Sequence, residues 1–318
     1  MSSRTKRKGS SSAPSPSERP PDPSDHPQWS RILADAVATP GLIHRAYSRF
    51  WNYSVGNQLL AWFQCVSRKL APGPINTYRG WRECGRHVRK GEKGIALCMP
   101  IHCKRRKHAP SDSSVSDQPD AGCQERHHDR GDAERGTDRV GAGEGYTRFV
   151  LKSHWFVLAQ TDGADYVPAE LPTWQEMRAL EVLQVTRVPF DHPDGNCQGY
   201  ARARSIAISP VAFAPHRTLF HELAHVVLGH TAESAMSDGE EPTPRSLREV
   251  EAEGVALICC ESLGMGDPTY SRGYIQHWLS DEKSIPEKSA RRIFKAADQI
   301  LRAGRPGSTE GGGHGQQP

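Results

Sequence analysis

Residues 220–230 read FHELAHVVLGH, and the way that stretch folds decides what the rest of the chain is built around. His221 and His225 stand four positions apart, so on a helix of about 3.6 residues per turn both imidazoles leave one face, a turn apart. Glu222, beside the first histidine, falls within reach of a water held between them. This is the HExxH arrangement of zinc peptidases. Leu219, Phe220, Leu223, Val226 and Val227 supply an apolar, buried setting for the histidines.

A catalytic zinc takes three protein ligands and keeps a fourth position open. The pattern HExxHxxGxxH needs Gly and His three and six residues after the second histidine. Here Gly229 and His230 stand four and five residues after His225, so that solution fails and His230 reads as an exposed histidine at a helix end. A glutamate on a later helix is the other solution. In EVEAE, Glu249 and Glu253 share a helix face, so one can bind metal while the other accepts the far N–H of a ligand histidine. Ser246-Leu-Arg-Glu249 is also a capping-box pattern, which would fold Glu249 back on its own helix start and leave Glu253 as the ligand. Glu249 is preferred as the ligand, with Glu253 behind it or in its place, and Glu251, off that face, reads as solvated. With Zn2+ bound, a water of lowered pKa loses its proton to Glu222, which passes it to a leaving amine, so the reaction class is peptide hydrolysis.

The 318 residues include 36% hydrophobic residues, 29 Gly and 24 Pro, at a mean hydropathy of −0.66. That length suits about two domains, with sizeable segments too polar to bury a core. Three segments are expected to be disordered: 1–27, about 104–145, and 303–318. The middle one interrupts a domain, because the strand-like RFVLKSHWFVLAQT after it needs a sheet already begun at GIALCMPIHC. No apolar run nears the roughly 18 residues of a membrane span, and the N-terminus lacks the apolar centre of a secretory signal. The expectation is a soluble, cytoplasmic protein with no membrane partner. Eight scattered cysteines without a CxxC pair read as reduced thiols.

The ordered N-terminal block, 28–165 around its insertion, opens with helical WSRILADAVA and FWNYSVGNQLLAWFQCVSRK. Between positions 68 and 93 the cations Arg68, Lys69, Arg79, Arg82, Arg86, Arg89, Lys90 and Lys93 face only Glu83 and Glu92. A basic stretch is often a solvated face. Interleaved with Trp51, Tyr53, Trp62, Tyr78 and Trp81, it also fits single-stranded DNA, whose phosphates need cations and whose bases stack on aromatic faces. Trp62 and Phe63 are assigned to the core and Tyr78 and Trp81 to stacking. Arg79, Arg82, Arg86, Arg89, Lys90 and Lys93 are assigned to phosphates. The second block, 166–302, reads as a helix (TWQEMRALEVLQV), a strand (RSIAISP), the HExxH helix over 218–230, and three more helices. The class is α+β, with RSIAISP as an edge strand beside the HExxH helix.

YSVGNQLL, TYRGWRECGRHVRKGEKGIALCMP and WFVLAQTDG resemble the N-terminal domain of ArdC-type antirestriction proteins. Its pattern is S-x-x-N on a helix, a tryptophan before G-R-x-V-x-K-G-E-K-G, a strand ending in Pro, and a later Q-T. HELAH, EVEAE and YIQHWL resemble the metallopeptidase domain paired with it, akin to the ImmA/IrrE and gluzincin groups. The resemblance implies a protein of a plasmid, phage or other mobile element. Its N-terminal domain would bind entering single-stranded DNA and protect it from host restriction. Its C-terminal domain would be a zincin-like (gluzincin) metallopeptidase. Two alternatives stay open: a regulatory protease cleaving a repressor protein, and a non-proteolytic DNA shield with a structural metal.

Overall fold

Glycine and proline set several of the helix limits. The computed structural model describes residues 27–104, 145–231, 243–280 and 284–306; the segments 1–26, 105–144 and 307–318, where disorder is expected, lie outside the described residues. Helix α1 (Trp29–Ala38) turns at Gly41, in the left-handed conformation at φ +75°, into α2 (Leu42–Phe50), and α3 (Val55–Ser67) follows. The first two N–H groups of α1, which have no partner inside the helix, donate to the Glu287 carboxylate from far along the chain, at 3.0 and 2.9 Å.

Strands β1 (Ile75–Thr77), β3 (Ile95–Lys104) and β4 (Gly145–Val157) form a sheet in the order β1-β4-β3. The sequence therefore paired the right strands across the long segment between them. Helix α4 (Tyr78–Glu83) starts at Thr77, whose hydroxyl accepts from Gly80 N at 3.0 Å. A short antiparallel ribbon joins β2 (Arg86–Val88) to β5 (Thr161–Gly163). The sheet edge at β3 is covered by α3 through side-chain amides. Gln64 donates to Ala96 O and accepts from Ala96 N, both at 2.8 Å. Two helical turns earlier, Asn57 does the same for Cys98 at 3.0 and 2.8 Å. These amides occupy backbone groups that a neighbouring strand would otherwise take.

After α5 (Glu176–Leu183) a second sheet contains β6 (Thr186–Arg187), β7 (Gly199–Arg202) and β8 (Ser205–Ile208) in the order β6-β8-β7. RSIAISP is thus the central strand and not the expected edge. The edges are β6 and β7, and β7 runs antiparallel to β8 with Gly199 opposite Ile208. Its four residues, GYAR, are too few to show a period. Four helices follow among the described residues: α6 (Pro215–Val227), α7 (Arg245–Leu263), α8 (Thr269–Ser280) and α9 (Glu287–Ala303). Every residue of α7 from Val250 to Ser262 is buried.

Contacts divide the described residues into two compact units, those within 27–98 and 151–306, and those within 99–104 and 145–150. The described residues of the second unit are the outer parts of β3 and β4. In the first unit Leu33, Val37, Ile43 and Tyr47 of α1 and α2 share one apolar core with Leu219, Leu223, Val255, Ile258 and Ile300. The expected boundary at 165/166 therefore separates two stretches that share a core. Among the described residues no helix is long and apolar enough to cross a membrane.

Candidate metal centre

Two helices bring the centre together. Helix α6 carries His221, Glu222 and His225, and α7 carries Glu249 and Glu253. Helix α7 begins after Pro244, with no side-chain cap, so Ser246 and Glu249 lie inside the helix and the alternative capping box does not form. Glu249 is thereby free to face α6. His221 Nε2 and His225 Nε2 are 3.1 Å apart, and Glu249 Oε2 is 3.4 Å from the first and 3.6 Å from the second. Ligands at about 2.0–2.1 Å in a tetrahedron stand about 3.4 Å from one another. The three atoms thus leave a hole of the size such an ion fills, and they alone among the described residues group within 4.8 Å in this way.

Behind this trio, Glu253 lies deep between the helices. Its Oε1 is paired with Arg217 and stands 3.2 Å from His221 Nδ1, an ion-pair separation. Arg217 also lies over the Tyr270 ring at 3.9 Å. A cleft of about 270 Å³ opens onto His221 and Glu249 of the trio, lined also by Gln198, Gly199, Thr218, Glu222, Tyr270 and Tyr274 among others. Gly199 of β7 leaves no room for a side chain. A Cβ there would meet the Thr218 methyl at 2.6 Å and Glu222 Cγ at 3.2 Å.

Burial lowers the affinity of His221 for a proton, but Glu249 and Glu253 outweigh it and push this histidine up to about 9. Glu249 is held well below the ordinary carboxylate range by His221 and His225. Glu253 is raised by burial, yet His221 and Arg217 bring it down overall. Glu222 goes the other way: burial raises it, and the nearby histidines offset only part of that rise.

Two residues depart from the sequence reading. The His230 side chain is only 4% exposed instead of solvated, and Glu251 is fully buried instead of facing water. His230 Nδ1 lies 3.0 Å from His225 Nδ1, and His230 Nε2 lies 2.9 Å from Glu251 Oε2. Helix α6 stops at Val227, before the expected His230, because Gly229 takes the left-handed conformation.

In the basic stretch Tyr78 is 52% exposed, whereas Trp81 is 0% exposed. Trp81 Nε1 donates to Phe156 O at 2.8 Å and its ring meets Tyr166 edge-on at 5.1 Å, so Trp81 is core and offers no face to a base. Trp62 and Phe63, expected in the core, are only partly buried against it. Arg86 donates to Thr161 Oγ1 at 2.9 Å and to Thr161 O at 2.9 Å, holding the β2–β5 ribbon. Arg89 is engaged by Glu92 at 2.8 Å and Asp162 at 3.6 Å, and Arg79 pairs with Glu83 at 2.9 Å on the surface. Arg82, Lys90 and Lys93 are exposed. Tyr78, His87, Arg89, Lys90 and Phe156 border an open cleft of about 760 Å³.

Residues 26–139 match the family described as the N-terminal domain of anti-restriction factor ArdC. The uncharacterized protein y4eC of Sinorhizobium fredii (strain NBRC 101917 / NGR234) is 27% identical over 256 residues, 76% of this chain and 73% of that protein. Two crystal structures of the antirestriction ArdC protein from R388 plasmid are also similar. The metal-free one is 22% identical with a TM-score of 0.45, over 87% of this chain and 94% of that one. The Mn(II)-bound one is 20% identical with a TM-score of 0.47, over 90% and 100%.

Proposed function

We propose that this chain, ArdC-like over residues 26–139, is an antirestriction protein of a mobile element that binds single-stranded DNA and carries a zinc-dependent, zincin-like metallopeptidase centre on α6 and α7. The observation behind the enzymatic half is the convergence of His221 Nε2, His225 Nε2 and Glu249 Oε2, 3.1–3.6 Å apart. A bound Zn2+ would supply Lewis acidity, acidifying a water and polarising a peptide carbonyl. Glu222, buried at the cleft and raised by that burial, takes the water's proton and delivers it to the leaving amine. Glu253, backed by Arg217, steadies His221 from behind. The open edge of β7 offers backbone groups to an extended peptide, and Gly199 keeps that edge close to Glu222. The DNA half rests on Tyr78, Arg79, Arg82, Lys90 and Lys93, exposed on one stretch of chain.

Glu222→Gln separates the readings. The variant is expected to bind zinc with wild-type stoichiometry and to keep its affinity for single-stranded DNA, while losing at least about a hundredfold in hydrolysis of a denatured protein. Zinc and manganese are both measured, since the R388 ArdC protein was crystallised with Mn(II) and an imidazole-rich set favours zinc. Absence of bound metal in the wild type would sink the enzymatic reading. Full protection of DNA from restriction by Glu222→Gln would assign protection to DNA binding and not to proteolysis.

A further inference from the structure

We propose that His230, Glu251 and Arg292 form a buried positioning chain that fixes the tautomer of His225. The proposal builds on the metal-centre reading above and adds three residues to it. The local cause lies at the end of α6. Gly229, at φ +77°, reverses the chain, with Gly229 N donating to Val226 O at 3.1 Å and His230 N to His225 O at 2.9 Å. This returns the His230 ring to the helix, and its Nδ1 comes within 3.0 Å of His225 Nδ1.

Two ring nitrogens at that distance can share one hydrogen only, so one donates and the other accepts. Glu251 decides which. Its carboxylate, fully buried, lies 2.9 Å from His230 Nε2 and can only accept, which places the hydrogen of a neutral His230 on Nε2 and leaves Nδ1 bare. His225 must then donate from Nδ1. Its Nε2 keeps a free lone pair, directed at Glu249 Oε2 and His221 Nε2, as a metal ligand requires. Arg292 of α9 closes the chain: Nη1 lies 3.1 Å from Glu251 Oε2, and Nη2 donates to Leu228 O at 2.7 Å. A buried carboxylate without that guanidinium would be costly. These are positioning residues, since none of them reaches the cleft lining.

Nitrogen-15 NMR of the metal-free wild-type protein reads the tautomers directly. The expected pattern is N–H on Nδ1 of His225 and on Nε2 of His230. A hydrogen on Nε2 of His225 overturns the proposal, and this readout needs no variant and no bound metal. In chelator competition, His230→Phe is expected to weaken zinc binding by about 10–100-fold, while His230→Asn, which keeps an acceptor where Nδ1 stood, stays within a few-fold of wild type. Wild-type affinity in His230→Phe overturns the proposal. If the wild type binds no zinc, the metal-centre reading falls, and the tautomer pattern still judges the chain of hydrogen bonds.

Discussion

Tyr78 and Trp81 stand three residues apart on one short helix, and burial divides their roles. Replacing the fully buried Trp81 by Ala is expected to cost about 3–5 kcal/mol in urea denaturation, through the cavity it leaves. Tyr78→Ala is expected to leave stability within about 0.5 kcal/mol and to weaken single-strand binding by about 1–3 kcal/mol through lost stacking. Wild-type DNA affinity in Tyr78→Ala would return this face to ordinary solvated surface. At the centre, His221 holds its proton up to about pH 9 in the metal-free protein, and metal must displace it. Zinc affinity therefore rises with pH below that value, by up to about tenfold per unit between pH 6 and 8. An affinity flat across that interval would mean that His221 is already neutral.

Helix ends carry as much of the site as helix faces do. The left-handed Gly229 has nothing within 4 Å of where a Cβ would stand, so Gly229→Ala probes backbone strain alone. It is expected to lower stability by about 1 kcal/mol and to weaken zinc binding by displacing His230. Unchanged zinc affinity together with lowered stability would separate the turn from the metal site. The sequence carried this helix on to His230, past the Gly229 that ends it, and only its period was legible. Where the returning His230 would land was not, because that depends on Glu251 and Arg292, which arrive from α7 and α9. The S-x-x-N and Q-T elements were legible as pattern only. Asn57 binds the edge of β3, and Gln160 ties Glu92 and Lys93 O, both at 2.9 Å, into the turn before that strand.

At the scale of the whole molecule, described residues on either side of position 165 bond to one another. Glu287 caps α1. Arg272 of α8 donates to Ala36 O and Val37 O at the end of α1 and pairs with Glu261 of α7, all of it buried. Separate expression of 1–165 and 166–318 would expose the apolar core they share. Each piece alone is expected to lack a cooperative melting transition, and mixing the two is expected to restore one. Two independent, cooperative melts would instead establish two autonomous domains.

Helical spacing alone aligned His221 with His225 and Glu249 with Glu253, because the period of a helix is a local property of a few consecutive residues. The same local logic placed RSIAISP as a strand and the later stretches as helices, but passed over β6, β7 and the separate helix α2. Only the tertiary structure decided that Trp81 is core, that β7 is an edge, and that Glu251 and His230 are buried behind the site. Burial is set by what packs on a residue from elsewhere in the chain, here Phe156 on Trp81 and Arg292 on Glu251, and no window of neighbouring residues contains it.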